Sequence, residues 1–553
     1  MFRTLFSSIA FTLFSICALA QKDSIDISTD GDNYAATFIK IGSIKNFDYN
    51  KIKLYKNARN IVALNQRGVN VDLLFKNCED LSLLDEVQLV NCGVSQIPNS
   101  IRYVKRIKRL NLRGNSISNL PDSFVCLKEL SVLNLSHNSY LYDDAVFEKI
   151  KDLNVTELDF SESGLFEINE KIGSIESLKL LNLSFNNLKT LPLAITKLNL
   201  TSLNLNQNPG LDSNTVFDVL SNMKVLNELY LRQCELSELS GKIGDLGNLR
   251  VLDLAGNLIQ KLPESIGKLS NLEYLNLGMV GAGFRMNQIS NLPSSITRID
   301  KLKHLNLSGN KLSSLPSDFS GLSNLETLDL SQNSFPDFPR SLTQLKKLRS
   351  LNLNENSIIS LPVEIGNLSE LEELRLNNFF FNQFDKKLKS VPESIGKLSK
   401  LKVLSFRDNV IEALPESIGN LRNLEYLDLR DNLLSALPNS ICKLNKLKYL
   451  DLKTNELKSV PNCIDQLSSL EDLNISMNQD AKVSYLIPVF QQLKNLKYID
   501  ISYNGVRKEQ VLHLLDSNPN CRVVNRDYKN AGAEDEKPKQ NDMYRFEKPV
   551  DRK

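Results

Sequence analysis

The chain has 553 residues, of which 41% are hydrophobic, 24% charged and 7% aromatic, with no tryptophan. A single compact core stops growing well below this length, so the chain is either several domains or a repeat array. Its 67 basic and 65 acidic residues leave a formal net charge of +2. That balance creates no global field for nucleic acid or an anionic membrane, so any partner must be recognised locally.

The first twenty residues read as a secretory signal. Arg3 supplies a positive start, Leu5 to Leu19 is largely apolar, and Ala18-Leu19-Ala20 puts small residues at the cleavage-determining positions. The apolar run is about 15 residues against the roughly 20 needed to span a bilayer, so export with cleavage near Ala20 is expected over a membrane anchor. Cys17 fits lipoprotein processing poorly, because Ile16 stands where a small residue belongs. No later run is long and apolar enough to cross a membrane. The mature chain keeps Cys78, Cys92, Cys126, Cys234, Cys442, Cys463 and Cys521, an odd set without paired spacing, so no disulfide framework is expected. Cys78 and Cys92 fit either a bridge or two separate buried thiols. His137, His304 and His513 are scattered, which argues against a His-rich metal site.

Residues 21–83 precede the regular pattern and read as an N-terminal cap region. From residue 84 one unit recurs, usually every 23 residues, as in LKHLNLSGNKLSSLPSDFSG from 302 and LEYLDLRDNLLSALPNSICK from 424. Eighteen register positions run from Cys92 to Asn504, all Asn except Cys92, Ser163, Cys234 and Lys386. The Leu-x-Leu triplet alternates as a short strand does, with leucines inward and the residue between them outward. Units this short cannot return antiparallel, so their strands stack in parallel. A buried Asn amide at the register position can satisfy backbone groups of its own turn and its neighbour's, while Cys92, Cys234 and Ser163 are small replacements and Lys386 fits badly. Longer spacings after Asn138, Asn208 and Asn478 leave room for helices, such as DDAVFEKIKDL and NTVFDVLSNMKVL.

The pattern L-x-x-L-x-L-x-x-N-x-L-x-x-L-P-x-x-I-x-x-L resembles the typical-length leucine-rich repeat, in the LPxxIGxL style of Ras-binding leucine-rich proteins and many bacterial and plant repeat proteins. The resemblance covers residues 84–515 and implies an α/β solenoid, a curved horseshoe with one parallel sheet on its concave face and short helices or turns on its convex face. Repeats are expected over 84–504. Residues 505–525 follow as an amphipathic helix and a last strand that cap the array, and 526–553 as a polar, disordered tail.

The resemblance also implies a protein-binding scaffold, with function in the exceptions to the consensus. Asn306, Ser308, Asp329 and Ser331 are ordinary outward residues. Arg407, Arg430 and Lys453 form a column in three successive repeats, beside Asp408 and Asp431. Tyr426 and Tyr449 stack in another slot, with Glu373 and Arg375 nearby. Aromatic and Arg side chains on a rigid surface are the types that dominate interfaces, although opposite charges that merely neutralise a solvated face give the same pattern. Two seven-residue insertions, VGAGFRM before Asn287 and FFFNQFD before Lys386, add Phe284, Arg285, Phe379, Phe380, Phe381 and Phe384. These rings either form an exposed tip or plug the gap at the missing register Asn. A ligand across repeats nine to sixteen would touch both insertions and the Arg/Tyr column. The expected partner is a protein or, as the alternative, a cell-surface glycan; nucleic acid is not expected, because the column is too short and too well matched by acids. No cofactor is called for, no phosphate-binding glycine loop occurs, and no nucleophile, base and orienting group assemble, so the chain is not expected to be an enzyme.

Overall fold

The alternation of inward leucines drives the architecture. In the computed structural model, the first leucine of a typical Leu-x-Leu triplet is the centre of a three-residue strand, which within each unit pairs in parallel with the strand one repeat on. Val251–Asp253 lies beside Tyr274–Asn276, for example, with Leu252 opposite Leu275. The structure describes residues 24–26, 37–41, 47–139, 141, 143–281, 286–378 and 387–526.

The chain divides into two units, Met1–Asn333 and Ser334–Lys553. Among the described residues, the first holds fourteen strands, from Ser24–Asp26 to Thr327–Asp329, and the second eight, from Ser350–Asn352 to Arg522–Val524. Within each unit the strands pair in parallel and in chain order, as an open ladder. The stretch before the first regular repeat adds Phe38–Ile41, Asn60–Leu64 and the helix Val71–Lys76 to the first unit, and its strands continue the same ladder. The second unit ends with the helix Lys508–Ser517 and the strand Arg522–Val524.

In a typical repeat Leu252, Leu254, Ile259, Ile266, Leu269 and Leu272 are all fully buried, each contributing about 1.5–3 kcal/mol of apolar burial. Next to this apolar core runs the Asn ladder. Asn432 donates its amide to the carbonyls of Phe406 (2.9 Å) and Leu429 (3.0 Å) and accepts from Ile411 N–H (3.1 Å). Three backbone groups of successive turns, unreachable by the strand ladder, are thereby satisfied. Cys92 and Cys234 keep part of this role by donating Sγ–H to Ala63 and Leu205 carbonyls. Asn287 keeps it despite the first insertion, bonding Leu254 and Leu277 carbonyls at 3.0 Å.

On the other side of the core, most repeats turn through a short 3-10 helix, such as Glu393–Lys397. Longer repeats carry α-helices at Asp143–Ile150 and Ser213–Leu220, as their spacing leads one to expect, the latter capped by Asp212 accepting from Thr215 N–H. Successive 3-10 turns meet through a recurring joint. A Cβ on Gly396 would lie 2.6 Å from Ser417 Cβ, and one on Gly244 2.8 Å from Ser265 Cβ, so only glycine permits this approach. The Glu that opens the turn reaches the same residue: Glu393 accepts from Ser417 N–H and Glu416 from Ser440 N–H.

One joint departs from this pattern. Cys442 stands at the Gly position, Cys463 at the following Ser position and Asn439 at the Glu position, and the two cysteines are bonded as a disulfide. The sequence indicated no disulfide framework, and this one bond joins cysteines whose spacing gave no sign of pairing. Cys78 and Cys92 are separate free thiols, both buried.

Candidate functional site

The outward sheet face of the second unit is built from strands Glu373–Arg375, Val403–Ser405, Tyr426–Asp428, Tyr449–Asp451 and Asp472–Asn474, in parallel register. That register aligns Glu373, Val403, Tyr426, Tyr449 and Asp472 in one row and Arg375, Ser405, Asp428, Asp451 and Asn474 in another. Because Val403 and Ser405 are small, Arg375 reaches across their strand and its guanidinium lies 6.0 Å from the Tyr426 ring centroid. Its Nε donates to Glu373 at 2.5 Å.

Tyr426 and Tyr449 stack with centroids 4.2 Å apart and planes 2° from parallel. Each hydroxyl donates back to the aspartate of its own strand, Tyr449 to Asp451 at 3.0 Å and Tyr426 to Asp428 at 3.4 Å. Burial, with the neighbouring carboxylates, pushes both phenols well above their ordinary range. Asp428 and Asp451 are buried side by side on adjacent strands and accept from Arg430 N–H (3.0 Å) and Lys453 N–H (2.9 Å). Burial raises both carboxyls, Asp451 to about 6; for Asp428 the adjacent Asp451 adds to the rise.

Immediately beyond the strands lie Arg407, Arg430 and Lys453. Asp408 and Asp431 follow in a left-handed turn, at φ 58° and 56°, each held by its N–H bond to the next repeat's carbonyl, Arg430 and Lys453. Arg407 and Arg430 both face Asp431, with Nε to Oδ2 distances of 3.9 and 3.6 Å, whereas Asp408 is taken by Lys387 at 2.5 Å. Two guanidiniums thus share one surface carboxylate, and roughly a quarter of the Arg407 side chain stays exposed.

Arg375, Arg407, Asp408, Tyr426, Arg430, Asp431, Tyr449 and Lys453 are therefore gathered on one face. Phe379, Phe380, Phe381 and Phe384 lie outside the described residues, as do Phe284 and Arg285 of the first unit. Tyr449 is only 9% exposed, so its ring is packed into the sheet face and is no open landing surface.

Sequence reasoning missed Lys387 and the buried role of Asp428 and Asp451. It also missed the first unit's outward arginines. Arg113 holds both Glu162 oxygens at 2.8 and 2.9 Å, with His137 Nδ1 3.2 Å from the same carboxylate, and Arg232 holds Asp253 at 2.8 Å. Reading the Arg407 column down the whole chain would have found Arg113 and Arg232. A second missed column precedes the strands. Arg250, Glu273, Lys303 and Glu326 in the first unit, and Arg349, Glu372, Lys402, Glu425, Lys448, Glu471 and Lys497 in the second, alternate in sign at every repeat. Glu273 pairs with Arg250 and Lys303, and Glu372 with Arg349 and Lys402. This edge is self-neutralised. Among the described residues no helix is long and apolar enough to cross a membrane.

Comparison with known proteins follows the repeat. Residues 287–393 and 382–523 match the leucine-rich repeat region family, and 82–139 and 220–278 match the leucine rich repeat family. A solved leucine-rich repeat protein of Leptospira interrogans is similar over 79% of this chain and 99% of its own, at 28% identity and a TM-score of 0.64. A disease resistance-like protein of Arabidopsis thaliana is 46% identical over 52 residues, 9% of this chain and 4% of that protein. An adenylate cyclase of Schizosaccharomyces pombe is 37% identical over 125 residues, 22% of this chain and 7% of the cyclase. The chain thus spans only a small part of these two relatives.

Proposed function

Because the chain belongs to the leucine-rich repeat proteins, whose stacked repeats commonly present extended binding surfaces, we propose that it is an exported, non-catalytic scaffold that captures a protein partner. The capturing surface is the outward sheet face of the second unit, centred on Arg375, Arg407, Arg430 and Lys453, and the phenylalanines that the 379–384 insertion adds in sequence are proposed to contribute to it. The observation that carries this reading is the sharing of Asp431 by Arg407 and Arg430 just beyond the strands that carry the stacked tyrosines or adjoin them. Guanidiniums already held in place lose little side-chain entropy on binding, and their planar forks suit carboxylates of a protein partner. Burial of Tyr449 favours a protein over a glycan, since a sugar platform needs an accessible ring face. The signal-like residues 1–20 and the disulfide support export, because disulfides persist in oxidising compartments.

The test is capture from the native surroundings by the mature chain and by a variant carrying Arg407→Glu, Arg430→Glu and Tyr426→Ala. Loss of the partner with unchanged circular dichroism is the expected result. Equal capture by both proteins removes the site.

A further inference from the structure

The repeating joint between 3-10 turns uses three residues. A Glu carboxylate accepts the next turn's N–H, and a Gly packs against the Ser that carries that N–H. Gly and Ser stand 21 residues apart in the joints Gly396–Ser417 and Gly419–Ser440, and also at Gly244–Ser265, where Gly241 takes the Glu position. Cys442 and Cys463 are also 21 apart, with Cα atoms 5.8 Å from each other, between the turns Asn439–Lys443 and Asn462–Gln466. Here all three partners are replaced together: Gly by Cys442, Ser by Cys463, and Glu by Asn439, whose shorter amide side chain replaces the carboxylate. The joint has exchanged its polar and close-packed contacts for one covalent bond.

We propose that Cys442 and Cys463 are the selective thiol-oxidation site of this chain, closed by thiol–disulfide exchange with a disulfide-bearing oxidant to staple the second unit one repeat beyond the Arg430 strand. The two cysteines differ in access. Cys442 is 3% exposed, whereas Cys463 is half-buried. Cys463 therefore reacts first: its thiolate attacks one sulfur of the oxidant, forming a mixed disulfide and releasing one thiolate. Cys442 then loses its proton and attacks the Cys463 sulfur, forming the protein disulfide and expelling the second thiolate. Two protein thiols are oxidised, one oxidant disulfide is reduced to two thiols, and the protons from Cys442 and Cys463 balance the two released thiolates.

Among the described residues, the remaining thiols are poorly placed to compete. Cys78, Cys92, Cys234 and Cys521 are buried, and burial raises each thiol, Cys234 to about 12 and Cys521 to about 11. Cys126 is exposed and free. It can take up a mixed disulfide but has no resolving thiol across a joint.

The experiment treats the reduced full chain with oxidised glutathione, alkylates it under denaturing conditions and maps peptides by mass spectrometry. The site predicts a linked pair of peptides containing Cys442 and Cys463, and a melting temperature for the oxidised chain higher by about 5 °C than for the reduced chain. The variant Cys442→Gly with Cys463→Ser restores the close Gly–Ser contact of the ordinary joint, so it folds, and its melting no longer responds to reductant. Glutathione adducts without the linked pair, or a linked pair with no change in melting, would overturn the proposal. The location of the oxidant rests on the export reading and is tested separately. If glutathione closes the site in the purified chain but chain recovered from its cells without reductant has both thiols free, the site stands and export fails.

Discussion

The outward arginines of the two units occupy the same repeat position and are held differently. In the first unit Arg113 grips both oxygens of Glu162 and Arg232 has the fully buried Asp253, each at close hydrogen-bond distance. In the second unit Arg407 and Arg430 divide Asp431 between them at 3.9 and 3.6 Å. A bidentate pair spends its donors within the chain, and its orientation contributes to the fold. The carboxylate that Arg407 and Arg430 share lies farther from each of them than the carboxylates that Arg113 and Arg232 hold. The same residue type in the same slot is thus held by a close ion pair in one unit and by a shared, more distant carboxylate in the other, and the proposed binding surface rests on that difference.

This contrast can be broken at several places. The largest effect is expected for Arg407→Glu with Arg430→Glu, which puts three acids together at the surface. Partner affinity should fall about 30-fold or more, as for interface anchors of this type, read by titration calorimetry with the captured partner. Arg113→Glu should leave that affinity unchanged while lowering stability by about 1–2 kcal/mol in urea melts, since the introduced acid faces Glu162. If Arg113→Glu weakened capture as much as the second-unit pair, the distinction between the units would collapse.

Asn432→Ala should cost about 2–3 kcal/mol of stability in the same melts, because two carbonyls and one N–H lose their buried partner. Asp451 supplies the smallest and most specific effect. Its carboxyl is held at about 6 against an ordinary value near 3.8. Between those values the folded state binds the proton that the unfolded state has lost, so stability is full below about pH 4 and declines as pH rises to about 6. Asp451→Asn removes that cost and keeps an oxygen for Lys453 N–H, as Asn474 does for Ser476 in the next repeat. The variant should be more stable than the parent by about 1–2 kcal/mol at pH 7.5. The difference should vanish near pH 4. A gain that is independent of pH would rule out ionisation of Asp451 as the cause.

Much of this fold was legible because it repeats within a unit. The leucines that point inward, the Asn that serves two turns and the longer spacings that hold helices are each written in a single copy of the motif. Asn287 shows how strongly: seven extra residues precede it, and its amide still reaches Leu254 and Leu277. What escaped reading are features written between copies. The alternating charges from Arg250 onward, the Glu-to-amide joint and the Cys442–Cys463 bond involve residues 21 to 30 apart that look unremarkable in either repeat alone. The aspartates at 428 and 451 escaped for a related reason. An outward strand position reads as solvated, yet stacked tyrosines from the same and neighbouring strands cover these carboxyls. The candidate residues were legible as a column, but how each is paired depends on counter-charges from other repeats, such as Lys387 on Asp408.

The central claim is that partner capture uses the outward face of the second unit. Hydrogen–deuterium exchange of the mature chain, alone and with its captured partner, tests this most directly. Protection on binding should concentrate in residues 373–378, 403–408, 426–431 and 449–454, with the 3-10 turns 393–397 and 416–420 unchanged. Protection confined to the first unit, or to those turns, would contradict the account.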